Sequence, residues 1–600
     1  MKIACQRPSH FSKTVEYELV PANTHSESTH SGPAWKADLW AGVTSGILSV
    51  PQGLAFALLA HVPIECGLYA MVVPTFVSAL IRSSPFLTTG ATNTSALVLG
   101  AILGAYDLAP QEVVPLMALI TLWMGSIQAL FGVLRLGEYG RYVSQAVLVG
   151  FSSGAACLII AGQIRVAAGV PAESSVRFID TLRTLLENIG HASPYALGLS
   201  ALTILIVWSC ARISRLVPGA LIAVVATSLM VWLMGWADGD SPRVGVLDQV
   251  KSAWPLFTLP DFHSPHATDV LSPALALAVL GMVEAISIGK AVSAKGHVRF
   301  HPNQELLAKG VGNIAGAFFG CMPSSASWTR SAVHLQMGSR TRWSGVIAGL
   351  TVLALVLVFA RWTHYIPKPC LGALIIWIAA HMLDFRAAKY VWRWGRSDAL
   401  VLGLTFASML LIEVQYAIYL GIFMSLILLV RRVGELHLVE LTQAGPERFR
   451  ELELDEKSGS FPITLLQLEG ELFFGIVDKL EERLEGIAAR GARVIVLRMK
   501  HATHIDASAS EALAQFGAHF HERGGRLILC GLKPAVFEQI SRAHLGEVLG
   551  PDNLVCTHPH PFESVRQALA RARAELAGTK TEPLIRTASE SADGAAFYEI

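Results

Sequence analysis

A single arginine lies in a hydroxyl-rich stretch between two long apolar segments of this chain. The stretch reads PSSASWTRSAVH from Pro323 to His334, and its arginine is Arg330. A guanidinium is always charged and offers five N–H donors, which suits the binding of an anion. The alternative is that Arg330 snorkels to a membrane interface or pairs with an acidic side chain. We favour an anion site because serines and threonines surround the arginine.

A second stretch of the same kind lies earlier in the chain. ATNTSAL, from Ala91, aligns with SWTRSAV, from Ser327, and both follow sequence rich in Gly, Pro and hydroxyl residues. Such backbone is tolerated inside a membrane only where it is buried in protein or faces a water-filled cavity. We therefore predict two half-helices, over residues 91–105 and 326–338, with their N-termini facing each other. Helix N-termini carry unpaired N–H groups and the positive end of the helix dipole, which attract anions.

Three further side chains are candidates for the same site. Glu284 lies inside the apolar segment LALAVLGMVEAISIG and must face the protein interior, where it needs a partner or a proton. It either pairs with Arg330 as scaffold, or titrates and so links proton movement to anion movement. Gln52 and Phe56 lie four residues apart, on one face of the helix that contains Pro51. Each of these two alone is more typical of packing than of ligand contact.

The composition places these residues in a membrane. Of the 600 residues, 52% are hydrophobic and 16% are charged, and the mean hydropathy is +0.48; these values are typical of an integral membrane protein. The net charge of +1 gives no surplus of Lys and Arg for nucleic-acid binding. The eight cysteines form no CxxC pair, and we find no nucleotide loop, zinc spacing or nucleophile triad. We expect no enzymatic activity, no cofactor and no metal.

The apolar segments predict a multi-pass protein. With about 20 apolar residues per crossing, residues 37–432 give about fourteen segments, counting the two half-helices. Lys and Arg concentrate in alternate loops, for example Lys290, Lys295 and Arg299. This positive-inside pattern predicts an even number of crossings in the cytoplasmic (inner) membrane, with both termini in the cytoplasm. The third and tenth segments would then cross the membrane in opposite directions, as in an inverted repeat.

The rest of the chain is predicted to be soluble or disordered. From Phe461, short strands such as ITLLQL and ARVIVLRM alternate with helices, a pattern that indicates a small α/β domain over 461–576. The polar residues 1–36 are predicted to be a disordered cytoplasmic tail. Residues 433–460 are predicted to be a linker, and residues 577–600 a second disordered tail.

Two long motifs resemble those of the sulfate permease (SulP) anion transporters. They are DLWAGVTSGILSVPQGLAFALLAHVPIECGLYAMVVPTFVSALIRSSP and VEAISIGKAVSAKGHVRFHPNQELLAKGVGNIAGAFFGCMPSSASWTRSAV, and the resemblance covers about residues 36–575. It implies a fold of fourteen segments in a 7+7 inverted repeat, an elevator-like movement, a homodimer and a cytoplasmic STAS domain. It also implies secondary transport, such as symport, of a small inorganic or carboxylic anion across the bilayer, with sulfate as the first candidate and bicarbonate or a dicarboxylate as alternatives.

The resemblance also assigns site residues. Matching positions imply substrate contacts at Gln52, Phe56, Ala91, Thr92, Asn93, Thr94, Ser327, Trp328, Thr329 and Arg330, and place Glu284 at the acidic, proton-coupling position. The chain departs from the family at Ala91, where proline is frequent, and at Ala326, where glycine is frequent, so the identity of the anion stays open. Ile288 follows Glu284 by one turn, where sodium-coupled relatives tend to have a hydroxyl ligand. This favours proton coupling or uncoupled exchange over sodium coupling.

The soluble domain contains one candidate regulatory residue. HIDASASEAL resembles the STAS loop that carries a phosphorylatable serine, which would be Ser508. Ser508 to Glu511 also reads as a capping box, the interpretation that we favour. A cytosolic partner at this domain is possible, so a channel-like or regulatory membrane protein is an alternative function. A nucleobase permease would share the architecture, but such permeases lack a STAS domain, and Arg330 suits an anion better than a neutral base.

Overall fold

The computed structural model describes most of the chain in two units. The described residues are 33–106, 108–142, 144–170, 178–214, 217–237, 243–250, 252–443, 449–454, 461–560, 562–576 and 584–586. The units divide between residues 429 and 430. The predicted N-terminal tail lies outside the described residues up to residue 32, and the first helix begins inside it, at Ala34.

The first unit is helical. Its helices in chain order are α1 Ala34–Leu59, α2 Ile64–Ile81, α3 Asn93–Leu103, α4 Pro110–Val133, α5 Gln145–Ala168, α6 Phe178–Asn188, α7 Pro194–Ile213, α8 Gly219–Leu233, α9 Leu271–Lys295, α10 Pro302–Ala317, α11 Trp328–Gln336, α12 Trp343–Phe359, α13 Lys368–Ala380, α14 Phe385–Trp394, α15 Arg396–Leu411 and α16 Val414–Val433. Within the described residues, eight helical stretches are long and apolar enough to cross a membrane. Helices α6 and α14 each bury one residue, so they are surface helices, and the fourteen that remain match the predicted number of segments.

Two short strands explain why α3 and α11 are half-helices. Strand β1 (Thr89–Ala91) leads into α3, and strand β2 (Ser324–Ala326) leads into α11. The two strands pair antiparallel, with Thr89 opposite Ala326 and Ala91 opposite Ser324. They therefore enter their helices in opposite directions, as an inverted repeat requires. The prediction of two half-helices, which have 11 and 9 residues, is confirmed.

Close helix packing fixes the elements around these strands. A Cβ atom on Gly310 of α10 would lie 2.3 Å from the backbone nitrogen of Ala129 in α4. A Cβ atom on Gly42 of α1 would lie 2.7 Å from the carbonyl oxygen of Ser344 in α12. Small residues at such crossings let helix backbones approach closely, which is how helices pack in membranes. Helices α1 and α10 are therefore held rigidly against their neighbours.

The second unit is the predicted α/β domain. Its six-stranded sheet has the order β4-β3-β5-β6-β7-β8. The strands are β3 His437–Gln443, β4 Phe449–Glu453, β5 Ile463–Glu469, β6 Val494–Arg498, β7 Arg526–Leu532 and β8 Leu554–Cys556; the helices are α17 Val477–Ala489, α18 Ala507–Glu522, α19 Pro534–Arg542, α20 His544–Leu549 and α21 Glu563–Glu575. Strands β5 to β8 run parallel, and β3 runs antiparallel to β4 and β5.

The structure corrects two boundaries of this domain. The predicted linker 433–460 contains β3 and β4, so it is part of the sheet. Three residues of the predicted C-terminal tail also join the sheet, because Ile463 donates a backbone hydrogen bond of 3.0 Å to Leu584, and Ile585 is buried. Burial of Ile585 supplies the apolar contact that orders these residues. The rest of the predicted tail after residue 586 lies outside the described residues.

The start of α18 also differs from the favoured prediction. Its N-cap is Asp506, whose Oδ1 accepts a hydrogen bond of 2.8 Å from the backbone of Ala509. Ser508 is exposed in the first turn, so the predicted capping box is wrong. Asp is as good an N-cap as Ser, and here it comes two residues earlier. Phosphorylation of Ser508 stays a prediction.

Candidate anion-binding site

Arg330 links three elements at the centre of the helical unit. It lies in the first turn of α11, whose N-cap Ser327 accepts the backbone N–H of Arg330 at 3.4 Å. Its Nη1 donates to Oε1 of Gln52 in α1 at 3.0 Å, and its Nη2 donates to the carbonyl oxygen of Ala91 in β1 at 3.0 Å. The side chain is 2% exposed. The guanidinium therefore joins α1, β1 and α11 in the protein interior.

The charge of Arg330 has no acidic partner in bonding contact. Both of its hydrogen-bond acceptors are neutral oxygens. Among the described residues, no ion pair includes Arg330, and its buried Nε has no hydrogen-bond partner. The pairing of Arg330 with Glu284, considered above as an alternative, is thus not formed. A buried positive charge without a bonded carboxylate is suited to attract an anion.

Gly90 lets the backbone of β1 pass beside the guanidinium. A Cβ atom there would lie 2.8 Å from Nη2 of Arg330 and 2.9 Å from Sδ of Met71. The φ angle of Gly90, +156°, is also one that other residues rarely adopt. A side chain at this position would therefore displace the arginine.

The N-terminus of α3 is built from the predicted hydroxyl residues. Thr92 is the N-cap, and its Oγ1 accepts the backbone N–H of Ser95 at 3.2 Å. The side chain of Ser95 in turn accepts the backbone N–H of Thr92 at 3.2 Å. This reciprocal capping uses the N–H of Ser95 and leaves the first-turn N–H groups of Asn93 and Thr94 without a partner inside the helix.

Glu284 of α9 connects the two half-helix starts. Thr94 donates its hydroxyl to Oε1 of Glu284 at 2.5 Å, and Ser325 of β2 donates its hydroxyl to Oε2 at 2.6 Å. Each carboxylate oxygen therefore has one hydroxyl donor, one from each half of the site. The carboxylate lies beside the same paired strands as Arg330 but forms no bond with Arg330.

A buried lysine near Glu284 was missed from the sequence. Lys309 of α10 is 1% exposed, and its Nζ has no hydrogen-bond partner among the described residues. It interacts electrostatically with Glu284. The signal was present, because PNQELLAKGVGNIAG places a lysine among small and apolar residues in the middle of a membrane segment.

The structure brings only some of the predicted contacts together. Gln52 and Ala91 bond to Arg330, and Thr94 bonds to Glu284. The remaining positions differ in exposure: Phe56 is buried on α1, Thr92 is buried, Asn93 and Ser327 are partly buried, and Trp328 and Thr329 are exposed. Trp328, at 50% exposure, and Thr329 are exposed, whereas Arg330 in the same turn is buried. For all of them, contact with substrate stays a prediction.

Half-helices that meet at a buried arginine, in a helical membrane unit followed by a separate α/β domain, define a membrane transporter of the anion-carrying class. The chain belongs to the sulfate permease family: the model of that family matches residues 35–405, and the STAS domain model matches residues 451–568. The STAS match begins inside the predicted linker, within strand β4. The family consists of transporters and not of enzymes.

Individual relatives and a solved structure agree with this assignment. The sodium-independent sulfate anion transporter of Bos taurus is 29% identical over 549 residues, which cover 86% of this chain and 87% of that protein. Sulfate transporter 4.1, chloroplastic, of Arabidopsis thaliana is 26% identical over 536 residues, which cover 86% and 78%. The solved structure of SLC26A9 has the same fold, with a TM-score of 0.81, 19% identity and 90% of each chain covered.

Proposed function

We propose that this chain is a secondary transporter that carries sulfate across the cytoplasmic membrane. The observation that carries the proposal is the buried guanidinium of Arg330, which has neutral acceptors and no acidic partner in bonding contact. Relatives named as sulfate transporters support the choice of sulfate. A doubly charged oxyanion gains more from a fixed positive charge than a singly charged one does.

The anion would bind between the N-termini of α3 and α11. Arg330 would supply the charge, and its Nε has no acceptor in the part of the chain that the structure describes. The backbone N–H groups of Asn93 and Thr94 would supply further donors. Gln52 would orient Arg330 through their hydrogen bond. Phe56, one turn later on α1, would form part of the wall of the site. Trp328 and Thr329, which are exposed in the first turn of α11, would add contacts from the accessible side of the site.

Glu284 would couple the anion to protons. An ionised carboxylate beside the site repels an anion, and a protonated one permits its binding, so a proton and the anion would move together. Sodium is a poorer coupling ion because Ile288 offers no oxygen ligand one turn after Glu284. The bovine relative is named a sodium-independent transporter, which supports this choice.

The movement and topology follow the family pattern. We propose that the elements around the paired strands carry the anion in an elevator-like movement, that two chains form a homodimer, and that both termini lie in the cytoplasm. The Lys and Arg residues in alternate loops support this orientation. The STAS domain would then be available to a cytosolic partner.

The proposal can be tested by uptake of radiolabelled sulfate into proteoliposomes, with and without an inward proton gradient. Unlabelled bicarbonate, fumarate and chloride would be added as competitors. We expect sulfate accumulation that the proton gradient drives and that liposomes without protein do not show. Uptake of bicarbonate or fumarate, but not of sulfate, would support the anion site and show that its substrate is a different anion. Flux that follows voltage alone, or no flux of any anion, would support the channel-like or regulatory alternative.

A further inference from the structure

Lys309 is a charged group that the proposed mechanism does not use. It lies inside α10, it is 1% exposed, and its Nζ has no hydrogen-bond partner among the described residues. Lysine is almost never fully buried unless it is paired, and ionisable residues inside membrane proteins usually have a function. A buried ammonium here therefore needs a counter-charge.

The face of α10 that carries Lys309 points to the transport site. Asn313 lies one turn later on the same face. Its Oδ1 accepts the backbone N–H of Ser324 at 2.9 Å, and its Nδ2 donates to the carbonyl oxygen of Ser324 at 3.0 Å. The next residue, Ser325, donates to Glu284. Lys309 thus lies on the side of α10 that holds β2 and the carboxylate.

Two carboxylates interact electrostatically with Lys309, namely those of Glu284 and Glu305, whereas Arg330 opposes it. Glu305 accepts three neutral donors, all at Oε1: the backbone and hydroxyl of Ser83 at 2.9 and 2.7 Å, and the backbone of Ser84 at 2.6 Å. It also interacts electrostatically with the buried guanidinium of Arg82. Glu284 has two neutral hydroxyl donors, and the cation that interacts with it electrostatically is Lys309. The carboxylate that most needs a positive charge is therefore Glu284.

We propose that Lys309 is a resident cation that balances Glu284 whenever the carboxylate has released its proton, so that no metal cation from solution has to take the place of that proton. This inference rests on the proposed transport function and names how the charge of its site is balanced. The ammonium stays with the protein, whereas a coupling metal ion would bind on one side of the membrane and be released on the other.

The oxygen atoms around Glu284 suggest what replaces Lys309 when it is removed. The carboxylate and the hydroxyls of Thr94 and Ser325 are hard oxygen ligands, the type that binds Na⁺ and other hard cations. Without the ammonium, this oxygen cluster would carry an unbalanced negative charge. Substitution of Lys309 by a neutral residue should therefore create a site for a small metal cation.

The first test is sulfate uptake into proteoliposomes in Na⁺, Li⁺ or N-methylglucamine media at one pH. We expect the wild type to be equally fast in all three media. Lys309→Met should be slow in N-methylglucamine and at least about fivefold faster in Na⁺, because a bound ion restores the balance. Lys309→Arg, which keeps the charge, should be independent of Na⁺. A sodium-dependent wild type, or a Lys309→Met variant with wild-type uptake in N-methylglucamine, would overturn the proposal.

The second test needs no transport. Thermal unfolding of the full chain in detergent would be measured for the wild type, Lys309→Met and the double variant Lys309→Met/Glu284→Gln. Na⁺ should raise the Tm of the single variant only, and in N-methylglucamine the double variant should unfold at a higher temperature than the single one. Equal Tm values for both variants, without an effect of Na⁺, would contradict the inference. If the wild type moves no sulfate, the proposed function fails, and this test still decides whether Lys309 balances Glu284.

Discussion

The two half-helix starts have the same architecture and different chemistry. Each consists of a three-residue strand, a hydroxyl N-cap and a short helix, with Thr92 as the cap of α3 and Ser327 as the cap of α11. In the first turn, α11 carries Arg330 three residues after its cap, whereas α3 carries Thr94 two residues after its cap. The arginine bonds to neutral oxygens, and the threonine bonds to Glu284.

This difference separates two electrostatic tasks. The half of the site at α11 supplies a fixed positive charge, and the half at α3 supplies neutral donors and holds a carboxylate. Because Arg330 and Glu284 each have their own neutral partners, neither cancels the charge of the other in a direct ion pair. The cation can attract an anion while the carboxylate responds to a proton.

Arg330→Ala should have the largest effect, because it removes the charged half of this comparison. We expect sulfate uptake to fall at least about a hundredfold, the typical loss when a preorganised charged donor is removed. Initial uptake rates in proteoliposomes, with the protein amount fixed, would measure it. Gln336→Ala changes an exposed residue at the other end of the same helix and should keep near-normal uptake. A well-folded Arg330→Ala variant with normal rates would refute the anion site.

Glu284→Gln should remove the proton response and spare the anion site. The amide cannot titrate but keeps the shape of the side chain, so downhill sulfate uptake should persist. Accumulation driven by an inward proton gradient should fall to the level reached without one. Sulfate content at the plateau, at several external pH values, would measure this change. If accumulation still follows the gradient, Glu284 is not the coupling group.

Gly90→Ala would test whether β1 must pass close to the arginine. The added Cβ would lie 2.8 Å from Nη2 of Arg330, so the guanidinium has to move. We expect about a tenfold loss of uptake, because a small displacement of a binding group weakens its contact with the anion. Gly403→Ala in α15 is a matched control, because a Cβ there meets no atom within 4 Å. Equal rates for both variants would show that Arg330 tolerates displacement.

Thr94→Val should have the smallest effect and should act through Glu284. It removes one hydroxyl donor from the carboxylate while the bond from Ser325 remains. One such hydrogen bond is worth about 1 kcal/mol, so a change of about fivefold is expected. The change should be a shift in the pH dependence of uptake, with little change in uptake at saturating sulfate. A pure loss of sulfate affinity would instead place Thr94 in direct contact with the anion. Thr203→Val, which removes a bond within α7, is the control.

The half-helices were predictable because their sequence breaks the rules for a lipid-facing helix. Arg330 was predictable for the same reason. The exposure of Trp328 and Thr329 beside the buried Arg330 was not predictable, because a motif gives positions along the chain and not the surroundings of a side chain. Lys309 was missed because its meaning depends on Glu284 in another helix.

The soluble domain shows a similar limit. Strand β3, HLVELTQ, carries charges and begins soon after a long apolar helix, so its residues resemble a linker. Only its pairing with β5 makes it part of the sheet. Asp506 and Ser508 lie two residues apart, and both can cap a helix, so backbone geometry decides between them. In each case the missing information was a contact distant in sequence or a local dihedral angle.

The antiparallel pairing of β1 and β2 also limits how the site can open. Separation of the two strands would expose unpaired backbone N–H and C=O groups in the membrane interior, at a cost of several kcal/mol each. The side chain of Asn313 adds two bonds to the backbone of Ser324, on the outer side of this ladder. We therefore expect the two half-helices, which come from distant parts of the chain, to stay paired if the site moves. An anion held between them would then have the same two helix starts as neighbours on either side of the membrane.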